Sequence, residues 1–207
     1  MTHLDRNPPS IGACLRSRSR GGGTLALAVL VAGTALAAAG GPWRVTQPDV
    51  RVLCPLTIGG SFQAKTSALS GSLMAPAGGS AFDGMLAVDL RTIDTGISLR
   101  NDHLREKYLE VDKAPGYDSA TLSQIELKGV APDGAGGKGT FSGLLTLHGT
   151  MKGVTGPAEV RSTGSGTRVK ASFPLKLSDY NIPEPRYLGV GVKDTVQVEV
   201  TFTASTP

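Results

Sequence analysis

From about residue 43 to the C-terminus, apolar side chains recur at every second position in segment after segment, with turn residues between. A two-residue period is that of a pleated strand with one face buried, so strands must supply most of the fold. The clearest case is Thr195 to Thr203, where Val196, Val198, Val200 and Phe202 alternate with Thr195, Gln197, Glu199, Thr201 and Thr203. That is a half-buried antiparallel strand. Thr140 to Met151 places Phe141, Leu145, Leu147 and Met151 on one face, with Thr140, Ser142, Thr146, His148 and Thr150 on the other; Arg168 to Phe173 does the same with Val169, Ala171 and Phe173. Weaker alternation marks Val50 to Leu56, Ser61 to Ala68, Met85 to Leu90, Thr121 to Leu127 and Val154 to Val160, which makes eight expected strands. Breakers fall between them at Gly78-Gly79, Pro132-Asp133-Gly134, Lys152-Gly153 and Gly164-Ser165-Gly166, as hairpins require. Short strands at this spacing indicate a sandwich or a barrel. One segment departs: Leu104, Tyr108 and Val111 sit at helical spacing after the possible caps Asn101 and Asp102, so a short helix is expected from Asn101 to Leu109.

The N-terminus obeys different rules. Thr24 to Ala39 is a 16-residue stretch without a charge, preceded by the basic run Arg16 to Arg20 and ending in small residues. This is the layout of an export signal, short of the roughly 20 residues that span a bilayer. Cleavage after a small-x-small site leaves a domain over residues 40–207; a retained anchor is the alternative. The expected location is periplasmic or secreted. The formal charge of +4 then loses its meaning for partners, because the first twenty residues hold +3 of it and the remainder is nearly neutral. With ten aromatic residues and no basic stripe, nucleic-acid binding is not expected.

Catalytic motifs are scarce. Gly134-x-Gly136-x-x-Gly139 matches a dinucleotide fingerprint in form, but it precedes a strand instead of a helix and reads as a hairpin turn. Cys54, His103 and His148 lack metal-ligand spacing, and both histidines read as surface or capping residues. Cys54, in phase with Val50, Val52 and Leu56, reads as a buried thiol, and with Cys14 removed it has no disulfide partner. Asp89 and Asp94 read as solvated carboxylates. No enzyme, metal or cofactor is expected.

Three blocks together resemble the YceI family of exported bacterial proteins: Gly60-Ser61-Phe62 followed by Gly71; Val88-Asp89-Leu90 with Ile93-Asp94-Thr95-Gly96 and Asn101-Asp102-His103-Leu104-Arg105; and Phe141-Ser142-Gly143-Leu144-Leu145-Thr146-Leu147-His148-Gly149 leading to Lys152. The chain departs from the family at Tyr108 to Asp112 and in the proline-rich loop Tyr180 to Gly189. The resemblance implies an all-β, eight-stranded antiparallel lipocalin-like barrel with one short helix. It also implies a non-catalytic function: binding, sequestration or transport of an isoprenoid lipid of the polyprenyl phosphate or quinone type, with the membrane involved only through the export signal or lipid exchange.

On that implication the lining would comprise Phe141, Leu145, Leu147, Val169, Ala171, Phe173, Val196, Val198, Val200 and Phe202, with Arg105, Lys152 and Arg186 as candidates for the head group. A long chain is favoured, since burying roughly 15 carbons at about 0.8 kcal/mol each offsets an association cost of about 4 to 15 kcal/mol. The same residues also suit a filled barrel that displays loops to a protein partner.

Overall fold

A computed structural model describes residues 42–74, 80–130, 136–187 and 189–205. The expected export segment, Cys14 and the turns at Gly78-Gly79 and Pro132-Gly134 lie outside the described residues. The elements in chain order are β1 (Trp43–Pro55), β2 (Ser61–Thr66), β3 (Leu69–Met74), β4 (Ala81–Asp89), α1 (Ser98–His103), β5 (Ser119–Lys128), β6 (Gly137–Leu147), β7 (Thr150–Thr163), β8 (Gly166–Lys176), β9 (Arg186–Tyr187), β10 (Val190–Gly191) and β11 (Thr195–Ser205). Neighbours from β3 through β8 pair antiparallel in chain order, β8 pairs with β11, and β1 pairs with β11 on one edge and with β2 and β3 on the other. The sheet therefore closes into an eight-stranded barrel, in which β7 pairs with β8 only from Ala158 to Thr163.

β2 and β3 act as one bent strand. Val50 to Pro55 of β1 pair with β2, and Trp43 and Arg44 pair with β3. At the break the Thr66 hydroxyl accepts the Ala68 N–H at 3.0 Å, and the Ala68 carbonyl accepts from Asp89 N at 3.0 Å. The ladder is interrupted without stranding buried backbone groups.

Strand bending continues at bulges in β1 after Thr46, in β4 after Phe82 and in β5 after Ser123. In β4 the bulge depends on Gly84, which has φ +127°, and an added Cβ would lie 2.1 Å from the Ser72 carbonyl oxygen.

Two expectations shift. Sequence periodicity carried one strand through His148 to Met151 and put the turn at Lys152-Gly153; instead Leu147 pairs with Thr150 across a two-residue turn, His148-Gly149, with φ +49° and +72°. Two consecutive left-handed residues match the twist of the flanking strands. The turn reverses the phase, so Met151 pairs with Thr146 on the outer face and is exposed instead of joining Phe141, Leu145 and Leu147.

The helix also starts earlier than expected, at Ser98, and Leu104–Tyr108 widen into a π-turn, with Leu109 N–H donating to the Leu104 carbonyl. Asn101 does not cap it. Its carboxamide oxygen accepts from Thr95 N and Thr95 Oγ1, and its Nδ2 donates to Asp94, pinning the loop that precedes the helix.

Up-and-down topology assigns the loops to two ends. The β1–β2 turn, α1 with the chain from Leu90 to Asp118, the His148-Gly149 turn and the chain from Leu177 to Asp194 share one end, called here the helical end; Trp43, Gly164-Ser165 and Ser205 share the other.

Gly84→Ala is expected to cost about 2–4 kcal/mol, from left-handed strain together with the carbonyl clash. Urea denaturation measures it. A loss below about 1 kcal/mol would mean that the close approach of β3 to β4 relaxes freely.

Candidate functional site

The inward faces of the strands do not meet in the middle. They enclose a cavity of about 1330 Å³ that runs through the barrel. All ten expected lining residues stand on its wall: Phe141, Leu145 and Leu147 from β6, Val169, Ala171 and Phe173 from β8, and Val196, Val198, Val200 and Phe202 from β11. The opposite half is supplied by β1 to β5, for example by Val52 and Cys54, whose in-phase spacing the sequence shows, and by Leu86 and Leu122.

Buried apolar residues form two clusters. One surrounds Phe141 and Phe173, whose rings meet edge-on at 5.7 Å. The other surrounds Leu73, Leu86 and Phe202, with Trp43 and Phe82 packed against it.

The charged residues of the wall are all basic. Lys65, Arg100, Lys128 and Arg186 contribute to it, and no Asp or Glu among the described residues does. Lys128 is paired with Glu126 and Arg186 with Glu184. Lys65 and Arg100 make no ion pair and no side-chain hydrogen bond with the described residues. The Arg100 guanidinium lies over the Phe62 ring, 4.3 Å from its centroid, a cation–π placement that leaves its hydrogen-bond donors free.

Of the three head-group candidates from sequence, Arg186 is on the wall. Arg105 is not: its guanidinium donates to the Ile93 carbonyl at 2.8 Å, and its Nε is buried without a partner among the described residues. Lys152 is not on the wall either. It shares the register of Leu145, but β7 pairs with β8 only from Ala158 to Thr163, and Lys152 lies in the unpaired half, exposed.

Arg100 and Lys65 escape sequence reasoning because their signal is positional. Arg100 lies one residue before the expected helix, and Lys65 on a strand with weak alternation.

At the helical end the chain at Tyr108 meets the chain at Arg186. Tyr108 accepts from Arg186 N at 3.1 Å and donates to the Arg186 carbonyl at 3.3 Å, joining them directly. Leu109, Val111, Ile182 and Val192 are buried there, in the same cluster as Phe141.

His148 is the second fastening, and it is 6% exposed, where the sequence pattern suggested a surface residue. The correction comes from the turn: left-handed at His148, the chain swings the ring off the polar face and into the end of the barrel. Its Nδ1 lies 3.0 Å from the Tyr180 carbonyl, its Nε2 lies 2.9 Å from Glu110 Oε2, and Tyr117 packs against the ring at 4.6 Å. Glu110 is itself left-handed, with φ +47°. Its carboxyl is held below the usual range, first by the hydrogen bond from Lys113 and then by His148. Gly149 between two β patterns is the sequence signal for this turn, and it is weak because His148 stands where Asn or Asp usually precedes such a glycine.

The remaining polar candidates are structural. Asp89 accepts from Arg91, and Asp94 from Gly96 N and Asn101. Burial pushes the Cys54 thiol up to about 11, with Arg100 acting in the opposite direction. No group of three or more metal-ligating side chains occurs among the described residues.

Comparison with known proteins agrees with this geometry. The family model described as YceI-like domain matches residues 46–204. The chain belongs to the YceI family. A solved structure of BcnA from Burkholderia cenocepacia is 21% identical with a TM-score of 0.61, covering 76% of this chain and 96% of that one. A polyisoprenoid binding domain from Saccharophagus degradans, implicated in plant cell wall breakdown, is 19% identical with a TM-score of 0.61, covering 80% and 98%. The YCEI protein of Campylobacter jejuni is 16% identical with a TM-score of 0.55, covering 72% and 88%. At these identities the likeness is one of fold. No curated protein sequence matches the chain.

At pH 8 Cys54 is expected to react with iodoacetamide about a hundredfold more slowly than a free thiol, because a group with a pKa near 11 is about 0.1% thiolate there; a rate equal to that of unfolded protein would contradict its burial. His148→Ala leaves the Tyr180 carbonyl and Glu110 without their ring partner and is expected to cost about 2–3 kcal/mol in urea denaturation.

Proposed function

We propose that this YceI-family protein is an exported carrier that binds and sequesters an isoprenoid lipid in the barrel interior, without covalent chemistry. The observation that carries the reading is an apolar cavity of about 1330 Å³ whose charged wall residues are all basic. That volume exceeds the roughly 300–1,000 Å³ of ordinary small-molecule pockets, and it favours a carrier over a filled barrel that only displays loops. The relative from Saccharophagus degradans, described as a polyisoprenoid binding domain, supports the same ligand class. Export to the periplasm or beyond is supported by the basic and apolar pattern of residues 1–39.

Between a polyprenyl phosphate and a quinone, the cations favour the phosphate. Arg100 stands on the cavity wall without an ion-pair partner among the described residues, and a charge-assisted bond to phosphate is about twice as strong as a neutral one. Burial, which pushes the Cys54 thiol up to about 11, makes it a poor nucleophile and supports a binding role for the cavity.

Native mass spectrometry of protein isolated from its own host is expected to show a bound lipid. Leu145→Trp and Val198→Trp each place an indole in the cavity and are expected to lower lipid occupancy about tenfold while the strand signal in circular dichroism persists. A wild-type protein that is empty in every preparation would contradict the carrier reading. Arg100→Ala is expected to weaken a prenyl phosphate about tenfold and a prenyl quinone by less than about twofold; equal losses for the two would assign the ligand preference to the apolar wall alone.

A further inference from the structure

At the helical end the apolar surface continues past the cavity onto the outside of the molecule. Ile97 and Leu99 belong to the wall, yet they are 50% and 55% exposed, which places them at a mouth. Ile58 is 69% exposed and is not part of the wall. The topology brings it to the same end, because β1 delivers the Thr57 to Gly60 turn there and β4 delivers α1.

Neither position is explained by folding. A turn needs residues that tolerate left-handed backbone, and Gly59 and Gly60 already supply φ +59° and +76°; Ile58 adds only an exposed aliphatic side chain. The six-residue helix α1 buries none of its own residues, whereas short helices in proteins are normally held by a buried apolar face.

Basic groups accompany these side chains. Arg100 lies on α1 next to Leu99, its guanidinium over Phe62, and Lys65 lies exposed on the outer face of β2 where its backbone joins Asp94. Arg100 makes no ion pair with a described carboxylate; the Asp94 carboxyl, near enough to Lys65 for that charge to help hold it ionised, is bonded to Gly96 N and Asn101. Exposed aliphatic residues beside unpaired cations fit the boundary of a bilayer, with side chains at the acyl edge and basic groups at the level of the phosphates.

We propose that Ile58, Ile97 and Leu99, with Arg100 and Lys65, form a docking surface for a phospholipid bilayer, which sets the mouth of the cavity against the membrane. A prenyl chain then passes between bilayer and barrel without crossing water. The proposal rests on the carrier reading for its purpose, and it is tested separately from it.

The test uses the protein as isolated from its host, in flotation with vesicles of phosphatidylcholine alone and with added phosphatidylglycerol. Wild type is expected to float with the vesicles, more so with the anionic lipid. Ile58→Glu, outside the cavity wall, is expected to lower the floating fraction about tenfold. The same variant is expected to bind detergent-dispersed undecaprenyl phosphate as wild type does.

Any residual N-terminal segment is common to both proteins, so their difference reports on the rim. A wild type that binds the dispersed lipid but does not float, or an Ile58→Glu that floats equally well, overturns the docking surface and leaves the carrier standing. Loss of dispersed-lipid binding by wild type, with flotation still sensitive to Ile58→Glu, overturns the carrier and keeps the surface.

Discussion

β1 carries hydrogen bonds on both of its edges, to β11 on one side and to β2 and β3 on the other. Everything else depends on that double pairing. It closes the sheet and fixes the register of the two strands at the seam, so that Val50, Val52 and Cys54 turn inward opposite Val200, Val198 and the rest of β11. A slip of one residue would exchange the inner and outer faces along the seam. Eight strands leave an interior that side chains can fill or a ligand can share. Here it is lined largely by Val, Leu, Ala and a few Phe side chains, and space remains.

A closed cylinder has two ends, and this molecule spends its irregular sequence on one of them. The helical end gathers α1, the π-turn after it and the loop from Leu177 to Asp194, and fastens them at two places. Tyr108 holds both backbone groups of Arg186, while His148 joins the β6–β7 turn to Glu110 and Tyr180. Both partners in the His148–Glu110 contact have left-handed backbones. Such residues persist where the surrounding contacts over-determine them, and here the surroundings are a buried imidazole with a partner at each nitrogen. The mouth is thus defined by rigid fastenings on one side and by an exposed aliphatic and basic rim on the other.

The barrel was legible in the sequence because each inner face repeats at period two. Ten lining positions on β6, β8 and β11 could be named from alternation, while in β4 and β5 the wall was obscured by bulges at Gly84 and Gln124, each of which breaks the period. His148 and Met151 were misplaced for a single reason: a turn made by His-Gly lacks the Asn or Asp that ordinarily announces it, and a missed turn inverts the phase of the next strand. Arg105 and Lys152 were reasonable by position in the chain. Their fates were decided by tertiary facts, the capture of Arg105 by the Ile93 carbonyl and the end of the β7–β8 ladder at Ala158. Arg100 reached the wall only because α1 begins at Ser98.

The central claim is that the interior is a lipid site and not unused space. The most direct measurement is a crystal structure of the protein as isolated from its host, without added lipid. Continuous tubular density along the cavity, running between Phe141 and Leu86 and ending in a polar group beside Arg100, is the result expected. Density for ordered water alone, or a barrel whose side chains have collapsed to fill the space, would contradict it.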